Sequence, residues 1–310
     1  MFNPKRRAGM IPESFKEDCF AALLEFVGTT VFLLLGLGSI QAVTVEAAAT
    51  ASSSSNIERV LYISSGMGFS LLVSAWLFYR VTGSLFNPNV SLALLIVGVI
   101  TPVRFVLYCI AQLLGAIAAS ALVIALTPGP LSVNAMLQPG INDAQGVFIE
   151  MFITAALVLA VLMLAAEKHN TTPFAPIGVG LTLFACHLFA VNYTGAAMNT
   201  ARAFGPAAVT GFPNGDHWVY WLGPFLGSIL ASGFYSVIKH YHYWKLNPDQ
   251  EAVEQHMSPP DPIERVREAV TSSSQGSGDA GTSGGGGGEK SRLGESEDNW
   301  RVREKNDSPV

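Results

Sequence analysis

Charge is the scarcest commodity in this 310-residue chain: only 13% of it is Asp, Glu, Lys or Arg, against roughly 25% in a soluble domain. Most of that charge is displaced to one end. Residues 245–310 hold thirteen acids and eight bases, leaving ten of each in the first 244 residues. No basic stripe is present, which excludes the electrostatic footprint of a nucleic-acid partner. Cysteine is also scarce. Cys19, Cys109 and Cys186 are scattered through apolar sequence, too few and too far apart for a disulfide framework or a zinc cluster, and they read as buried thiols. No nucleophile–base pair and no metal-ligand spacing appears, so the expectation is a protein without catalysis, cofactor or metal. The N-terminus has bases but lacks a cleavage-site pattern, so its first apolar stretch is expected to be retained.

What the chain has instead is apolar length. Half of its residues are hydrophobic and the mean hydropathy is +0.37. Six stretches reach the length of about 20 residues that a bilayer requires: 19–43, 57–80, 103–126, 147–166, 175–192 and 217–240. Two further apolar stretches, 88–99 and 200–211, are too short to cross. Short apolar segments at matching places in two halves point to re-entrant half-helices.

Two hexads introduce those short segments. Thr82-Gly83-Ser84-Leu85-Phe86-Asn87 and Thr194-Gly195-Ala196-Ala197-Met198-Asn199 share the spacing Thr-Gly-x-x-x-Asn. The duplication predicts an all-α membrane protein in an inverted 3+3 repeat, with six transmembrane helices and two half-helices whose N-termini meet at the midplane. Each Asn caps its half-helix in one reading and faces a pore in the other. The two are compatible, because the side-chain oxygen caps while the nitrogen remains free to donate.

Loop charge sets the expected orientation. With both termini cytoplasmic, the inner side collects Lys5, Arg6, Arg7, Lys16, Arg80, Arg104, Lys168, Lys239 and Lys245, and the outer side has Arg59 and Arg202. The expected organisation is a cytoplasmic segment 1–18, a channel domain 19–244, and a disordered cytoplasmic tail 245–310. The tail's Ser- and Gly-rich runs cannot bury enough apolar surface to offset ordering entropy, and a short helix is expected only near Pro262–Val270. Ala51–Asn56 reads as an exposed outer loop, and 127–146 as a longer one folded over the channel mouth.

These residues resemble the aquaporins, the major intrinsic proteins, over about residues 19–240. The resemblance rests on Glu25, Asn87-Pro88, Gln112-Leu113-Leu114-Gly115, Glu150, His187, Asn199, Arg202, Gly205-Pro206-Ala207 and Tyr220-Trp221-Leu222-Gly223-Pro224. Leu85-Phe86 and the serine-rich tail look most like fungal members. The resemblance implies a homotetramer with one pore per subunit, in a bilayer and by default the plasma membrane. Each pore would pass water in single file while excluding protons and ions. It places Asn87, Asn199, Pro88, Asn89, Thr200 and Ala201 at the pore midplane, and a selectivity filter at Met67, His187, Ala196 and Arg202.

Glu25 and Glu150 lie inside apolar spans and need buried partners. They read either as a proton relay or as a scaffold for the backbone of the half-helix loops, and the scaffold is the expectation because re-entrant backbone must be satisfied by protein. Gly66, Gly68, Gly115, Gly178, Gly180, Gly223 and Gly227 read as helix crossings.

Two departures stand out. The first box is Asn87-Pro88-Asn89 where the family has Ala third, and the second is Asn199-Thr200-Ala201 where it has Pro second. Together with Met67, in place of a common Phe, they keep open a wider facilitator for glycerol or hydrogen peroxide. Ala203 after Arg202 and the pair Tyr220-Trp221 argue for water. A poorly conducting scaffold protein is the third reading, opposed by the retained Asn87, Asn199 and Arg202.

Overall fold

The computed structural model describes residues 11–50, 56–247 and 258–276. The expectations for Lys5–Arg7, for the loop at 51–55 and for the tail beyond 276 lie outside them. The chain divides into a unit of residues 1–267 and a unit of residues 268–310. In the second unit residues 268–276 are described, and they are helical.

Among the described residues all regular structure is helical. The elements are α1 (Ile11–Thr50), α2 (Asn56–Phe78), α3 (Pro88–Ile96), α4 (Pro102–Leu126), α5 (Asp143–Val161), α6 (Ala175–Thr194), α7 (Thr200–Thr210), α8 (Val219–His240) and α9 (Pro262–Gly276). Six of these, α1, α2, α4, α5 with its π-helical extension Leu162–Ala166, α6 and α8, are long and apolar enough to cross a membrane. They coincide with the six expected spans. The 9-residue α3 and 11-residue α7 are the expected half-helices.

Local sequence explains the boundaries. Asn142 and Gln145 form a reciprocal capping box at the start of α5. Thr101 caps α4 and is followed by Pro102 at the first helical position, where a missing N–H costs nothing. Gly195 and Gly211 end α6 and α7 in the left-handed conformation, which glycine adopts without a Cβ clash.

Packing follows a pseudo-two-fold axis that exchanges α1–α4 with α5–α8. α1 packs on α4 as α5 packs on α8, α2 meets its counterpart α6, and α7 lies on α4 as α3 lies on α8. The α2–α6 crossing is close because Gly68 and Gly180 face each other. A Cβ on Gly68 would stand 3.0 Å from the Gly180 carbonyl oxygen, and one on Gly180 2.9 Å from that of Gly68. With little hydrophobic drive between helices in lipid, such small residues permit the close contact that holds them. The apolar side chains exposed on the outer surface, among them Phe20, Leu61, Phe69, Ile110, Phe152 and Phe234, suit a chain solvated by hydrocarbon. The thiols depart from expectation: Cys186 is buried, Cys109 partly so, and Cys19 exposed. Apolar neighbours mark a residue as membrane-compatible without saying whether it faces protein or lipid.

One end of the bundle is tied by polar contacts. Arg104 donates to Asp18 through Nε at 2.8 Å, joining the starts of α4 and α1. Glu167, Lys239 and Tyr235 form a buried cluster joining the end of α5 to α8. The segment 258–267, expected to be free tail, is attached here. Ser258 Oγ accepts the Lys168 N–H at 3.0 Å, Asp261 meets the His240 ring at 2.9 Å, and Arg265 donates to the Val97 carbonyl at 3.1 Å. Arg265 thereby places a cation at the C-terminal end of α3, where the helix dipole favours one. Low hydropathy made this segment read as unattached, yet its anchors are polar and specific.

Candidate functional site: a midplane junction and its constriction

The hexads form two loops with the same pattern of positive φ. Gly83, Ser84 and Phe86 have φ of 91°, 56° and 49°, and Gly195, Ala196 and Met198 have 77°, 52° and 52°. Four of these six are not glycine, so both loops hold left-handed backbone that must be sustained by its surroundings. Buried carboxylates supply that support. Glu150 accepts the Thr194 hydroxyl at 2.6 Å, the Ala197 N–H at 2.9 Å and the Met198 N–H at 2.8 Å. Glu25 accepts the Phe86 N–H and the Gln112 side-chain amide, and Gln112 reaches on to Ser91. Both carboxylates are fully buried. Their partners are loop backbone and fixed side chains, the geometry of the scaffold reading.

The loops deliver Asn87 and Asn199 to the junction of α3 and α7. Each side-chain oxygen caps its own half-helix: Asn87 Oδ1 accepts the Asn89 N–H at 2.8 Å, and Asn199 Oδ1 accepts the Ala201 N–H at 2.9 Å. Each nitrogen crosses to the opposite loop. Asn87 Nδ2 donates to the Met198 carbonyl and Asn199 Nδ2 to the Phe86 carbonyl, both at 2.8 Å. An amide nitrogen has two protons, so one locks the loops together and one is left on each side. Both asparagines line a cavity, as do Met67 and Arg202.

The rest of that lining is largely apolar, with Phe32, Leu71, Val90, Leu157, Val161, Val179 and Leu183 among its residues. Sequence reasoning missed this wall. An apolar side chain facing a pore has no signature that separates it from one facing lipid or core.

Of the expected constriction, Met67 and Arg202 share the cavity wall. His187 and Ala196 are fully buried and are not among the residues lining it. Arg202, only 2% exposed, donates through Nη1 to the Val133 carbonyl at 3.0 Å. Its anchor comes from the loop 127–142, which also accepts a bond from Gln41 at the Pro130 carbonyl and donates from the Leu137 N–H to Asp216. The loop thus reaches α1 and α7, and its carbonyl holding Arg202 had no sequence signal.

His187 Nδ1 donates to the Leu183 carbonyl at 2.9 Å. Its Nε2 and the Arg202 Nε have no protein partner.

Pro88, Asn89, Thr200 and Ala201 are buried or nearly so at the half-helix starts, behind the cavity wall. They meet where α3 and α7 abut, and they do not line the cavity. Asn89 Oδ1 instead accepts from both the N–H and the hydroxyl of Thr200, each at 3.0 Å.

Comparison with known proteins gives the same architecture a family. The major intrinsic protein family matches residues 14–235. Aquaporin-1 of Laccaria bicolor is 68% identical over 248 residues, covering 80% of each chain. Aquaporin-7 of Botryotinia fuckeliana is 48% identical over 236 residues, 75% of this chain and 52% of that one. The crystal structure of the aquaglyceroporin from Plasmodium falciparum superimposes with a TM-score of 0.60 at 21% identity, covering 71% of this chain and 95% of that one. At that identity the likeness speaks for the fold.

Proposed function

We propose, from the premise that this chain belongs to the major intrinsic protein family and is a passive multi-pass membrane channel, that its permeant is water in single file, with protons and ions excluded. The crossed pair Asn87 and Asn199 carries the reading. Two half-helix N-termini bring about half a positive charge each to one point, where a cation or a proton is disfavoured. The remaining amide protons donate to a water oxygen from two directions, turning its own hydrogens outward along the file. That orientation opposes proton relay through the midplane.

Arg202 adds a fixed cation at the cavity wall and donors that replace lost hydration. The apolar wall holds the file without binding it strongly, which conduction requires. Met67 favours a second reading, a wider facilitator for neutral solutes such as glycerol or hydrogen peroxide, because an unbranched thioether yields more readily than a ring. Ala203 and the pair Tyr220-Trp221 support water. We further propose a homotetramer in the plasma membrane with both termini cytoplasmic.

Stopped-flow swelling of proteoliposomes, run separately with an impermeant osmolyte and with glycerol, tests the reading. Fast water flow with slow glycerol entry is expected. Glycerol entry as fast as water flow would replace the first reading with the second.

A further inference from the structure

The two unusual boxes meet in one contact. Thr200 sits at the first position of α7 and presents its backbone N–H and its hydroxyl to the same atom, Asn89 Oδ1, each at 3.0 Å. The hydroxyl also lies 3.0 Å from the Tyr220 carbonyl, so its single proton has two acceptors on two elements. Asn89 is pinned on its other sides too. Its N–H donates to Asn87 Oδ1 at 2.8 Å, and its carbonyl accepts from the Ser228 hydroxyl of α8 at 2.8 Å. Both residues are at most 5% exposed.

We propose that Asn89 and Thr200 act as one cross-midplane latch that fixes the register of α3 against α7, doing by hydrogen bonding what a proline does by rigidity. A proline at 200 has neither N–H nor hydroxyl, so Asn89 Oδ1 would lose both donors while remaining buried. An alanine at 89 removes the acceptor and leaves the Thr200 N–H unpaired at a helix start. Either single change strands a buried polar group, which is the expensive outcome. Changing both removes the Asn89 acceptor and its two donors together, leaving at this contact only the Tyr220 carbonyl without the Thr200 hydroxyl.

The chain holds an internal control for this logic. The pseudo-two-fold counterparts of Thr200 and Asn89 are Pro88 and Ala201, a pair with no N–H at one member and no side-chain acceptor at the other. One half of the junction thus uses the apolar solution and the other half the polar one. The latch also explains why the two departures occur together in one sequence. Because Asn89 receives Thr200 while bonding Asn87, and Thr200 directly follows Asn199, the latch positions both pore asparagines without touching the permeant.

The test is a double-mutant cycle in the full-length protein, using Asn89→Ala, Thr200→Pro and the pair, with Thr200→Ser and Thr200→Val alongside. Thermal midpoints in detergent read the latch alone. Each cycle single is expected to lose roughly 3–8 °C and the double to recover at least half of the summed loss. Thr200→Ser should match the parent, and Thr200→Val, which keeps the N–H, should fall between the parent and Thr200→Pro.

Water flow per folded channel reads the positioning, and this arm rests on the conduction reading above. Each single should lose at least about twofold, the lower edge of coupling between contacting residues, and the double should regain most of it. A merely structural role would lower the yield of folded channels and leave flow per channel unchanged. Additive losses in the thermal cycle, or a Thr200→Pro variant as stable as the parent, would overturn the latch. If Thr200→Pro fails to fold alone, a folded double variant supports the proposal and an unfolded one refutes it. A parent protein that conducts no water would sink the conduction reading while the thermal cycle still decides the latch.

Discussion

Replacing Glu150 with Gln is the sharpest test of how the strained loops are held. The carboxylate serves three donors: one oxygen takes the Thr194 hydroxyl and the Ala197 N–H, and the other takes the Met198 N–H. A glutamine side chain of nearly equal volume has a single acceptor oxygen. In its better orientation it keeps Thr194 and Ala197 and turns an NH2 group against the Met198 N–H. That donor is left unpaired in a fully buried site, at a cost of about 1–3 kcal/mol. The two surviving bonds also lose their charge assistance, which roughly halves such bonds.

Relief of the buried charge opposes this, since an ion in a protein interior carries a desolvation penalty of several kcal/mol. The penalty is recovered only where the ion's bonds are good, and all three here are 2.9 Å or shorter. The balance is therefore destabilising by about 2 kcal/mol, a thermal shift of several degrees. Met198 carries φ of 52° and its carbonyl accepts from Asn87, so the loosened loop also releases Asn87 at the cavity wall. Differential scanning fluorimetry and stopped-flow swelling on the same preparation should show both losses together. A Glu150→Gln protein with unchanged midpoint and unchanged water flow would refute the scaffold reasoning. Lost proton flux with intact water flow and stability would instead favour a relay.

Three further outcomes follow from the same geometry. Arg202→Val removes the fixed cation and frees the Val133 carbonyl, so glycerol and urea leakage should rise while osmotic water flow persists; unchanged exclusion in a folded variant would remove Arg202 from the filter. Lys239→Met leaves Glu167 buried beside Tyr235 without its cation and should destabilise by about 3–5 kcal/mol. The double change with Glu167→Met should recover much of that, and a double as unstable as the single would contradict the pairing. At Asp261, partial burial pushes the carboxyl up, but the hydrogen bonds from the His240 ring and the Ile263 N–H outweigh it and hold the group below its usual 3.8. A folded value below the unfolded one stabilises above 3.8 and is lost as pH falls through the folded value. Asp261→Asn should therefore speed amide exchange across residues 262–267 at neutral pH and make no difference below the folded value, and equal exchange at neutral pH would refute the anchor.

The sequence exposed some parts of this site and hid others for physical reasons. The hexads announced two loops because Thr, Gly and Asn each have a local job: Thr82 and Thr194 bond the backbone two residues on, Gly83 and Gly195 take positive φ, and the asparagines cap. The left-handed Ser84, Phe86, Ala196 and Met198 were not legible, since nothing in their own propensities favours that backbone. They hold it because carboxylates on other helices, far away in sequence, bind the loop amides. Arg202 was legible because a charge in an apolar segment demands a reason, whereas the Val133 carbonyl that anchors it could be any loop residue. The lining from Phe32 to Leu183 was invisible for the opposite reason, because apolar residues serve lipid, core and pore alike. The attachment of segment 258–267 was not legible because composition weighs apolar burial and cannot see three polar anchors converging from different parts of the fold.

This division explains why the variant boxes are informative. A site made of apolar contacts drifts silently, since one aliphatic residue substitutes for another at small cost. A site made of buried hydrogen bonds cannot drift one residue at a time, because each donor left alone is costly. Asn89 and Thr200 were both conspicuous as departures, and the geometry shows why neither stands alone: the oxygen of one is the acceptor for two donors of the other. The half of the junction that kept Pro88 and Ala201 has no such obligation. The pseudo-symmetry that organises the backbone therefore does not extend to its chemistry. An asymmetric pair of boxes can serve one junction as long as each asparagine still caps its helix and crosses to the opposite carbonyl, as Asn87 and Asn199 do.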